Sequence, residues 1–506
     1  MALSRVYTRA QLGVDAPQVE VEVHLCAGLP AFALVGLPEA AVRESRERVR
    51  SALINLGFEF PQRRITVNLA PADLPKEGGR YDLAIAVAIL AASGQLQDQT
   101  LDRWEFIGEL SLSGELREIS GVLPAAIACQ RAGRTLCLPQ RSRREAVLVS
   151  ELELAAASTL LEVCQLVCGQ LPLLVASEQV VRPLSQTAQS LDIHEVRGQV
   201  QAKRALEVAA AGGHHLLMTG SPGSGKSMLA ERFAGLMPPL SEQECIEAAC
   251  VYSVAGLDNA RICTGERPFR SPHHTASAVS MVGGGSYPQP GEVSLAHHGV
   301  LFLDEIVEFP RAVLEVLREP MEQGEIYISR VAQKLRFPAK FQLIAAMNPC
   351  PCGYAGDPSG RCRCTPDQIV RYQGKMSGPL MDRIDLQITV SPVDTALIFS
   401  EQHLAQEPSS AQIAARVTRA AKLQQVRQGC RNAHLQGDQL RHYCALSPAL
   451  QRVLVTAAQR LQLSARGCSR VLKISRSIAD LAGAQSIEQG HLLEALSYRT
   501  LENSPL

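Results

Sequence analysis

The chain has 506 residues, of which 46% are hydrophobic and 20% charged, and its 50 acidic residues balance its 50 basic ones. This length predicts about three globular domains. A formal net charge of zero excludes binding to nucleic acid through overall charge, so any such surface must be local. The N-terminal stretch MALSRVYTRAQLGVDAP lacks the apolar core of a signal peptide, and the longest apolar run, LAIAVAILAA, is too short to span a bilayer. We expect a cytoplasmic protein without a membrane partner.

The chain divides into regions of different pattern. Residues 1–172 alternate β-rich runs, such as VEVEVHLCA and RRITVNLA, with helical stretches, which predicts an α/β or α+β domain. Residues 173–192 contain Pro, Ser and Gln without a clear period and are predicted to form a linker. In residues 193–392, apolar strands end in polar motifs, which is typical of a parallel sheet with its site at the carboxyl ends of the strands. Residues 393–506 are predicted to be helical.

A phosphate-binding loop is predicted in HHLLMTGSPGSGKSMLAERFAGL, where a short strand, a G-x-x-x-x-G-K-S motif and an amphipathic helix follow one another. The candidate nucleotide-binding residues are Gly220, Ser221, Pro222, Gly223, Ser224, Gly225, Lys226, Ser227 and Met228. The glycines let backbone N–H groups surround phosphate oxygens at the positive end of a helix. We expect Lys226 to reach the β- and γ-phosphates of ATP, and the Ser227 hydroxyl to bind Mg²⁺.

Two more strands end in polar side chains. GVLFLDEI ends in Asp304, which we expect to bind Mg²⁺, and in Glu305, which we expect to polarise the attacking water. FQLIAAMN ends in Asn348, which can orient the same water and sense the γ-phosphate. The sequence therefore predicts ATP hydrolysis at this edge of the sheet.

Four longer motifs carry a family resemblance: RPFRSPHHTAS, GGGSYPQPGEVSLAHHGVLFLDE, NPCPCG and SGPLMDRIDL. On these motifs the chain resembles AAA+ ATPases of the magnesium-chelatase and MCM branch, and more narrowly the ComM (YifB-type) magnesium chelatase-like proteins, over essentially its full length. The resemblance implies a P-loop core with a parallel sheet, a C-terminal helical lid, and a homo-hexameric ring that hydrolyses ATP between subunits. It also implies a branch-migration helicase that acts on DNA and supports homologous recombination of incoming DNA in natural transformation, with recombination proteins as partners.

Two arginine motifs are expected to act on the nucleotide. In SGPLMDRIDL, the resemblance implies that Arg383 projects into the neighbouring subunit's site and stabilises charge in the transition state. A local ion pair with Asp382 or Asp385 is the alternative. In LSARGCSRVLKISRSIADL, the resemblance implies that Arg466 is a second sensor, with Arg470 as the alternative.

The resemblance also implies two segments that face DNA in the pore of the ring. The first is the glycine-rich insert RPFRSPHHTASAVSMVGGGSYPQPGE, which favours a mobile loop. The second, EIYISRVAQKLRFPAKFQL, is predicted to form a β-hairpin with a basic tip, although an ordinary surface hairpin is the alternative. The candidate DNA-binding residues are Gly283, Gly284 and Gly285 in the insert and Arg330, Lys334 and Arg336 in the hairpin. Because only 4% of the chain is aromatic, we expect backbone contacts with little sequence preference.

A cluster of thiols follows Asn348. Its members, in the pattern C-x-C-x9-C-x-C, are Cys350, Cys352, Cys362 and Cys364. Four thiolates suit a closed, structural Zn²⁺ site that would hold the loop after Asn348, while reduced buried thiols and a redox switch are the alternatives. The histidine pairs at 273–274 and 297–298 are interpreted as structural residues rather than metal ligands.

The N-terminal region resembles a Lon-type protease domain with a ribosomal-protein-S5-like fold. The motifs are LAPADLPKEGGRYDLAIAVAIL and LSGELREISGVLPAAIACQRAGRTLCLP. The protease family uses a Ser–Lys dyad, but Arg80 or Tyr81 stands at the serine position and Leu123 at the lysine position. We therefore expect a proteolytically inactive domain that organises the ring or contacts DNA or a partner.

Two other functions compete with a DNA motor. A chelatase subunit that drives Mg²⁺ insertion into a porphyrin would use the same ATPase core, but chelatase motor subunits lack the Lon-like domain and the cysteine cluster. A protein-remodelling ATPase would be supported by an aromatic pore loop, and the sequence shows none.

Overall fold

The computed structural model describes residues 2–36, 40–96, 100–175, 191–285, 288–329, 334–357, 360–392 and 407–499. They form an N-terminal α/β domain, a core with a parallel sheet, and a C-terminal group of helices, which confirms the predicted fold class. In this described part of the chain, no helix has the length and apolar character needed to cross a bilayer.

The N-terminal domain contains ten strands and five helices among its described residues. The strands are β1 (Ala2–Arg9), β2 (Gln18–Cys26), β3 (Ala31–Val35), β4 (Arg64–Ala70), β5 (Trp104–Phe106), β6 (Glu109–Leu110), β7 (Leu116–Arg117), β8 (Thr135–Pro139), β9 (Glu153–Ala157) and β10 (Leu174–Val175). The helices are α1 (Ala40–Asn55), α2 (Asp82–Ala92), α3 (Val122–Arg131), α4 (Arg143–Ala146) and α5 (Leu160–Val167). Eight strands form one mixed sheet in the order β10-β9-β8-β5-β1-β2-β4-β3.

Alternating side chains create the core of this sheet. Val19, Val21 and Val23 on β2 are fully buried, as the period-2 pattern of VEVEVHLCA requires. Helix α2, which contains the longest apolar run, is buried on nearly all sides and therefore fills the domain core. The sheet continues past residue 172 because Leu174 pairs with Leu154 across β10 and β9. Residues 176–190 of the predicted linker lie outside the described residues.

The core with the parallel sheet follows. Its strands are β11 (Leu216–Thr219), β12 (Phe269–Arg270), β13 (Gly283–Gly284), β14 (Gln289–Pro290), β15 (Val300–Leu303), β16 (Glu325–Ser329), β17 (Lys334–Pro338), β18 (Gln342–Met347) and β19 (Leu386–Thr389). Its helices are α6 (Val200–Gly212), α7 (Lys226–Phe233), α8 (Glu242–Val254), α9 (Ala260–Cys263), α10 (Ala278–Val282), α11 (Glu292–Leu295), α12 (Arg311–Val316), α13 (Arg318–Gln323), α14 (Pro366–Gln373) and α15 (Gly378–Met381). Five strands pair in parallel in the order β12-β15-β18-β11-β19, while β13–β14 and β16–β17 are separate antiparallel ladders.

The described residues after 406 are helical, and no strand lies among them. The helices are α16 (Ser410–Gln428), α17 (Gly437–Tyr443), α18 (Pro448–Arg460), α19 (Ala465–Ala482) and α20 (Gln489–Ser497). The apolar stripe of α19, with Val471, Ile474 and Ile478 fully buried, packs into the same core as α6 and β11. Residues 393–406 of the predicted lid lie outside the described residues.

Candidate active site

The predicted phosphate loop connects β11 to α7 at the carboxyl edge of the parallel sheet. Gly223 and Gly225 have φ angles of +77° and +91°, in the left-handed region that glycine adopts readily. At Gly220 a Cβ atom would lie 2.3 Å from the carbonyl oxygen of Val390, so only glycine fits beside the end of β19. Helix α7 begins at Lys226, which leaves its N-terminal N–H groups facing the loop.

The strand ends bring the predicted Mg²⁺ ligands together although they are far apart in sequence. The Ser227 hydroxyl donates a hydrogen bond of 2.7 Å to Asp304 Oδ2 at the end of β15. A hydroxyl and a carboxylate are oxygen ligands of the kind that Mg²⁺ prefers, so these residues fit the ion. Glu305 follows with a φ of +48°, a strained conformation for a residue with a side chain, and its carboxylate is half-exposed.

Lys226 and Asn348 meet beneath the loop. The Lys226 ammonium group donates to the carbonyl oxygens of Gly220 (2.8 Å) and Ser221 (3.0 Å), and lies 3.3 Å from Asn348 Oδ1. Burial lowers the pKa of Lys226, while the negative charges of Asp304 and Glu305 oppose that shift. Lys226, the predicted phosphate-binding cation, and Asn348, the predicted sensor, therefore lie side by side at the carboxyl edge of the sheet. The side chain of Met228 is half-exposed on the first turn of α7.

The four clustered cysteines converge directly after Asn348. The sulfur of Cys350 lies 3.3 Å from that of Cys352 and 3.8 Å from that of Cys362, and the latter two are 3.6 Å apart. All four sulfurs, including that of Cys364, lie within 4.8 Å of one another. Tetrahedral Zn²⁺ with bonds of about 2.3 Å places its sulfur ligands about 3.8 Å apart, so the cluster fits this metal. Backbone N–H groups, that of Arg363 first, lower the pKa of Cys352 to about 6, which favours a thiolate.

The cysteine loop contacts the phosphate loop through one glycine. A Cβ atom on Gly353, whose φ is +85°, would lie 2.6 Å from Cδ and 2.7 Å from Cγ of Pro222. The same atom would lie 3.9 Å from Cγ of Asn348. The fold of the cysteine loop therefore bears directly on the loop that is expected to hold the phosphates.

The predicted arginine finger and second sensor lie together, but at the other edge of the sheet. Arg383 and Arg466 line a cavity of about 620 Å³ with His215, which precedes β11, and Asp385, which precedes β19. These strands are parallel, so the cavity lies at their amino ends, whereas the phosphate loop follows the carboxyl end of β11. Neither arginine lines the phosphate loop of its own chain.

The local partners of the arginines differ from the alternative considered above. Arg383 forms an ion pair of 2.6 Å with Glu322, not with Asp382 or Asp385, and donates to the carbonyl oxygen of Pro379. Asp385 instead lies 3.2 Å from Arg470. Burial alone would raise the pKa of Asp385, but the ring of His214, whose Nδ1 lies 3.6 Å from Asp385 Oδ2, and the charge of Arg470 outweigh it and lower the pKa.

The pairing of Arg470 bears on which residue is the second sensor. Because Arg470 is largely buried against Asp385, it is held in place, whereas Arg466 is exposed at the start of α19. This favours Arg466 as the residue that reaches a second molecule.

The predicted DNA-facing segments lie against each other. The hairpin is present as β16 and β17, and Arg336 on it is exposed and lies 3.6 Å from Glu325. Arg330 and the side chain of Lys334 lie outside the described residues. In the insert, Gly283 pairs with Pro290 and Gly284 with Gln289 in the ladder β13–β14, so the expected mobile loop is a short ladder there.

Glycines are needed in this ladder because atoms of neighbouring segments come very close to its backbone. A Cβ atom on Gly283 would lie 2.3 Å from the carbonyl oxygen of Gln289 and 3.2 Å from Ile328 Cδ1 of β16. Gly285, with a φ of +101°, continues from the ladder in the region that favours glycine. The glycines therefore permit the backbones to touch and bring the insert onto the hairpin.

The histidine pair at 297–298 surrounds Glu247, and these three residues are close enough to hold a metal ion. However, His297 Nδ1 accepts the backbone N–H of Lys340 at 3.0 Å, so a neutral ring carries its hydrogen on Nε2. That hydrogen faces Glu247, whose carboxylate is 2.7 Å from His298 Nε2. The hydrogen bonds favour a structural role. His274 Nδ1 lies 3.8 Å from Glu305 Oε2.

Sequence reasoning missed two residues that shape the site. Gln199, in the left-handed region with a φ of +53°, donates to the carbonyl oxygens of Ser224 in the phosphate loop and Ser391 after β19. Glu322, the partner of Arg383, was also missed. Neither residue type marks a motif by itself, so no sequence signal points to them. Gly353 could have been found, because it directly follows the C-P-C pattern.

The positions of the protease dyad are close together in the N-terminal domain. Arg80, one of the two residues aligned with the serine, is buried and donates to Gly121 O at 3.5 Å, two residues before Leu123. Tyr81 and Leu123 are also buried. These side chains supply neither a hydroxyl nucleophile on a serine nor a lysine base, so the dyad chemistry is not available at these positions.

Comparisons with known proteins agree with this architecture. The family described as "Magnesium chelatase, subunit ChlI" matches residues 192–398, "Subunit ChlI of Mg-chelatase" matches residues 21–142, and the C-terminal part of the same subunit matches residues 407–499. A Lon protease of Chloroflexus aurantiacus is 32% identical over 131 residues, which cover 24% of this chain and 16% of the protease.

Two relatives match over nearly their full length. The YifB protein of Salmonella typhimurium is 48% identical over 507 residues, which cover 99% of this chain and 98% of the relative. The competence protein ComM of Haemophilus influenzae is 48% identical over 504 residues, with the same coverage. Together with the fold and the phosphate loop, these matches show that the chain belongs to the ComM/YifB-type magnesium chelatase-like AAA+ ATPases.

Proposed function

We propose that this chain is the subunit of a homo-hexameric, ATP-driven DNA motor. The motor moves branched or duplex DNA as a branch-migration helicase and thereby supports homologous recombination of incoming DNA in natural transformation. The AAA+ family membership supports the ATPase part of the proposal, and the name of the competence protein of Haemophilus influenzae supports the biological role.

The residues at the carboxyl edge of the sheet account for ATP hydrolysis. Ser227 and Asp304 would hold Mg²⁺, which when bound neutralises charge on the phosphates. Lys226 binds the β- and γ-phosphates once it leaves its carbonyl partners. Glu305 accepts a hydrogen bond from the attacking water, and Asn348 orients that water from the neighbouring strand.

The proposal of a ring of subunits depends on one observation. Arg383 and Arg466 lie at the opposite edge of the sheet from the phosphate loop. A cation that stabilises the γ-phosphate must approach within hydrogen-bonding distance of it. At the phosphate loop of a second copy they can do so, Arg466 from its exposed position and Arg383 after its buried side chain leaves Glu322. The active site is therefore complete at a seam between two subunits.

The hairpin β16–β17 supports DNA as the substrate. It directly precedes β18, the strand that ends at Asn348, so a movement of the sensor strand is passed to the hairpin through one short connection. Its exposed Arg336 provides a contact for phosphate groups, and the insert packs against Ile328, near the turn end of the ladder. Such contacts read the backbone of DNA and predict strong dependence on salt.

A structural zinc ion is part of the proposal. Cys350, Cys352, Cys362 and Cys364 would hold it, and as a closed site it would stabilise the loop without taking part in chemistry. Because Gly353 of this loop touches Pro222, the metal would also fix the phosphate loop from outside.

One observation favours a protein-remodelling ATPase as a second candidate. Tyr327 on β16 is half-exposed, and an aromatic side chain at this place could grip a polypeptide. The Tyr327 hydroxyl donates to Glu325 on the same strand, and this hydrogen bond keeps the aromatic ring of Tyr327 close to the hairpin.

The decisive measurement is the rate of ATP hydrolysis with a four-way DNA junction, with duplex DNA, with single-stranded DNA and with an unfolded protein, each over a series of salt concentrations. A DNA motor is stimulated by junction or duplex DNA, and the stimulation falls as salt rises. A rate that is indifferent to every DNA but rises with the unfolded protein would replace the DNA motor with the remodeller.

The shared site is tested by mixing two inactive variants. Lys226→Ala lacks the cation that contacts the phosphates, and Arg383→Ala lacks the proposed arginine finger. In a ring that mixes the two variants, some interfaces combine the intact Lys226 of one subunit with the intact Arg383 of its neighbour. Activity that returns on mixing supports hydrolysis between subunits, while a mixture as inactive as its components would contradict it.

A further inference from the structure

The loop between β1 and β2 of the N-terminal domain lies on the hairpin β16–β17. Leu12 and Val14 of this loop pack against a small core made of Val254, Leu335 and Phe337, of which Phe337 is fully buried. Gly13 between them touches the hairpin backbone. A Cβ atom at this position would lie 3.0 Å from the carbonyl oxygen of Arg336. The inner residues of β17 are thus covered by the N-terminal domain.

A second contact lies beside the first one. The N-terminus of α3 is bound to the end of α8, where Gly121 N–H donates to Ser253 O at 2.8 Å and Leu123 N–H donates to Ser253 Oγ at 3.2 Å. Ser253 Oγ in turn donates to Glu145 of α4. Helix α8 is therefore held by the same domain that covers the hairpin.

Arg80 joins these two contacts. Its guanidinium group is buried and donates to Gln11 Oε1 at 3.1 Å, next to the loop on the hairpin, and to Gly121 O at 3.5 Å, at the N-terminus of α3. Both of these partners are neutral oxygens, so neither compensates the positive charge of the buried guanidinium group, and its burial costs free energy. Arg80, one of the two residues aligned with the protease nucleophile, thus connects the two parts of the N-terminal domain that contact the core.

We propose that the N-terminal domain positions the β16–β17 hairpin, with Leu12 and Gly13 pressing on Arg336 and Phe337 and with Arg80 keeping that loop in line with the α3–α8 contact. The domain then sets how effectively DNA at the hairpin changes the rate of ATP hydrolysis. This inference rests on the proposed function for its link to DNA, while the contact itself has a readout that does not involve DNA.

The space around the hairpin explains why such support is needed. A cavity of about 440 Å³ lies beside the contact, lined by Asp15 and Arg131 of the N-terminal domain and by Glu247, Arg336 and Lys340 of the core. A hairpin with open space on that side has room to tilt, and the close contact at Gly13 limits the tilt.

The test compares two glycine variants with the same backbone cost. Gly13→Ala places a methyl group in the left-handed region, at a φ of +60°, against the Arg336 carbonyl. Gly133→Ala does the same at a φ of +66° in the same domain, where nothing lies within 4 Å. Hydrogen–deuterium exchange of the peptide that spans 325–338 is measured in both variants and in the unsubstituted protein, in the absence of DNA.

We expect Gly13→Ala to accelerate exchange in the hairpin by about fivefold, the factor that corresponds to about 1 kcal/mol, and Gly133→Ala to leave it unchanged. Equal exchange in the two variants would overturn the positioning role, whatever the substrate is. ATP hydrolysis without DNA should be the same in both variants, and only Gly13→Ala should lose DNA stimulation. If the unsubstituted protein is not stimulated by any DNA, the proposed function fails, but the exchange experiment still decides the positioning role.

Discussion

Replacing Gly353 by alanine tests whether the cysteine loop supports the phosphate loop. The new methyl group would lie 2.6 Å from Pro222 Cδ, where ordinary contacts begin at 3.4 Å. The proline ring cannot rotate away, so the phosphate loop or the cysteine loop must move by almost 1 Å to restore an ordinary contact. We therefore expect the substitution to displace Pro222 and the backbone N–H groups that follow it.

The magnitude follows from the cost of overpacking, which is about 1–3 kcal/mol. If the displaced phosphate loop bears this cost, the Kd for ATP rises by about 5- to 150-fold. Alanine in the left-handed region costs a further ~1–2 kcal/mol of stability. Gly360→Ala carries that backbone cost alone, because Gly360 has a φ of +67° and nothing lies within 4 Å of its Cβ position.

The assay is an equilibrium titration with a fluorescent ATP analogue at fixed Mg²⁺, together with a thermal unfolding curve for each variant. Similar Tm values with weaker ATP binding in Gly353→Ala alone would support the contact. If Gly353→Ala and Gly360→Ala bind ATP equally tightly, then the cysteine loop does not bear on the phosphate loop, and the reasoning fails.

Three further predictions concern other groups. Arg383→Ala should retain ATP binding and lose turnover by about 10³-fold or more, and full turnover by this variant would remove its assignment as a finger. Elemental analysis of the reduced protein should give about one zinc per chain, and Cys362→Ser should lower this content while Cys168→Ser, an exposed cysteine elsewhere, should not; a protein that folds without metal would contradict the site. Burial lowers the pKa of His215 and His297 to about 4, so each is neutral when folded and gains a proton on unfolding below pH ~6.5. Their contribution to stability is present above pH ~6.5 and is lost as the pH falls towards 4, by about 2 kcal/mol per histidine between pH 7 and pH 5; urea unfolding of His297→Gln should show a smaller loss than the unsubstituted protein, and equal losses would contradict the assignment.

Local sequence was sufficient wherever the chemistry lies in one continuous segment. The phosphate loop from Gly220 to Ser227 could be predicted because strand, glycines and helix follow one another, and each local preference agrees with the final fold. The cysteine cluster could be predicted for the same reason, since its two C-x-C pairs are separated by only a short loop. The helices after residue 406 and the two strands of the hairpin also follow from local pattern.

The N-terminal domain shows where local pattern is insufficient. The absence of a Ser–Lys dyad can be read from Arg80 and Leu123 in the sequence. That Arg80 instead connects Gln11 with Gly121, and that Gly13 rests on β17, depends on backbones that are distant in sequence. A glycine signals only that the chain needs freedom or space at that point, and not which neighbour requires it.

The sequence by itself determined the family of this protein and predicted its reaction, because the residues expected to bind phosphate and Mg²⁺ directly follow the strands of the sheet. Only the tertiary structure decided that Arg383 and Arg466 share a cavity at the far edge of the sheet from the phosphate loop. The physical reason is that parallel strands bring their starts to one edge and their ends to the other. Which of these ends lie next to each other depends on strand order, and strand order is set by long-range pairing rather than by local pattern.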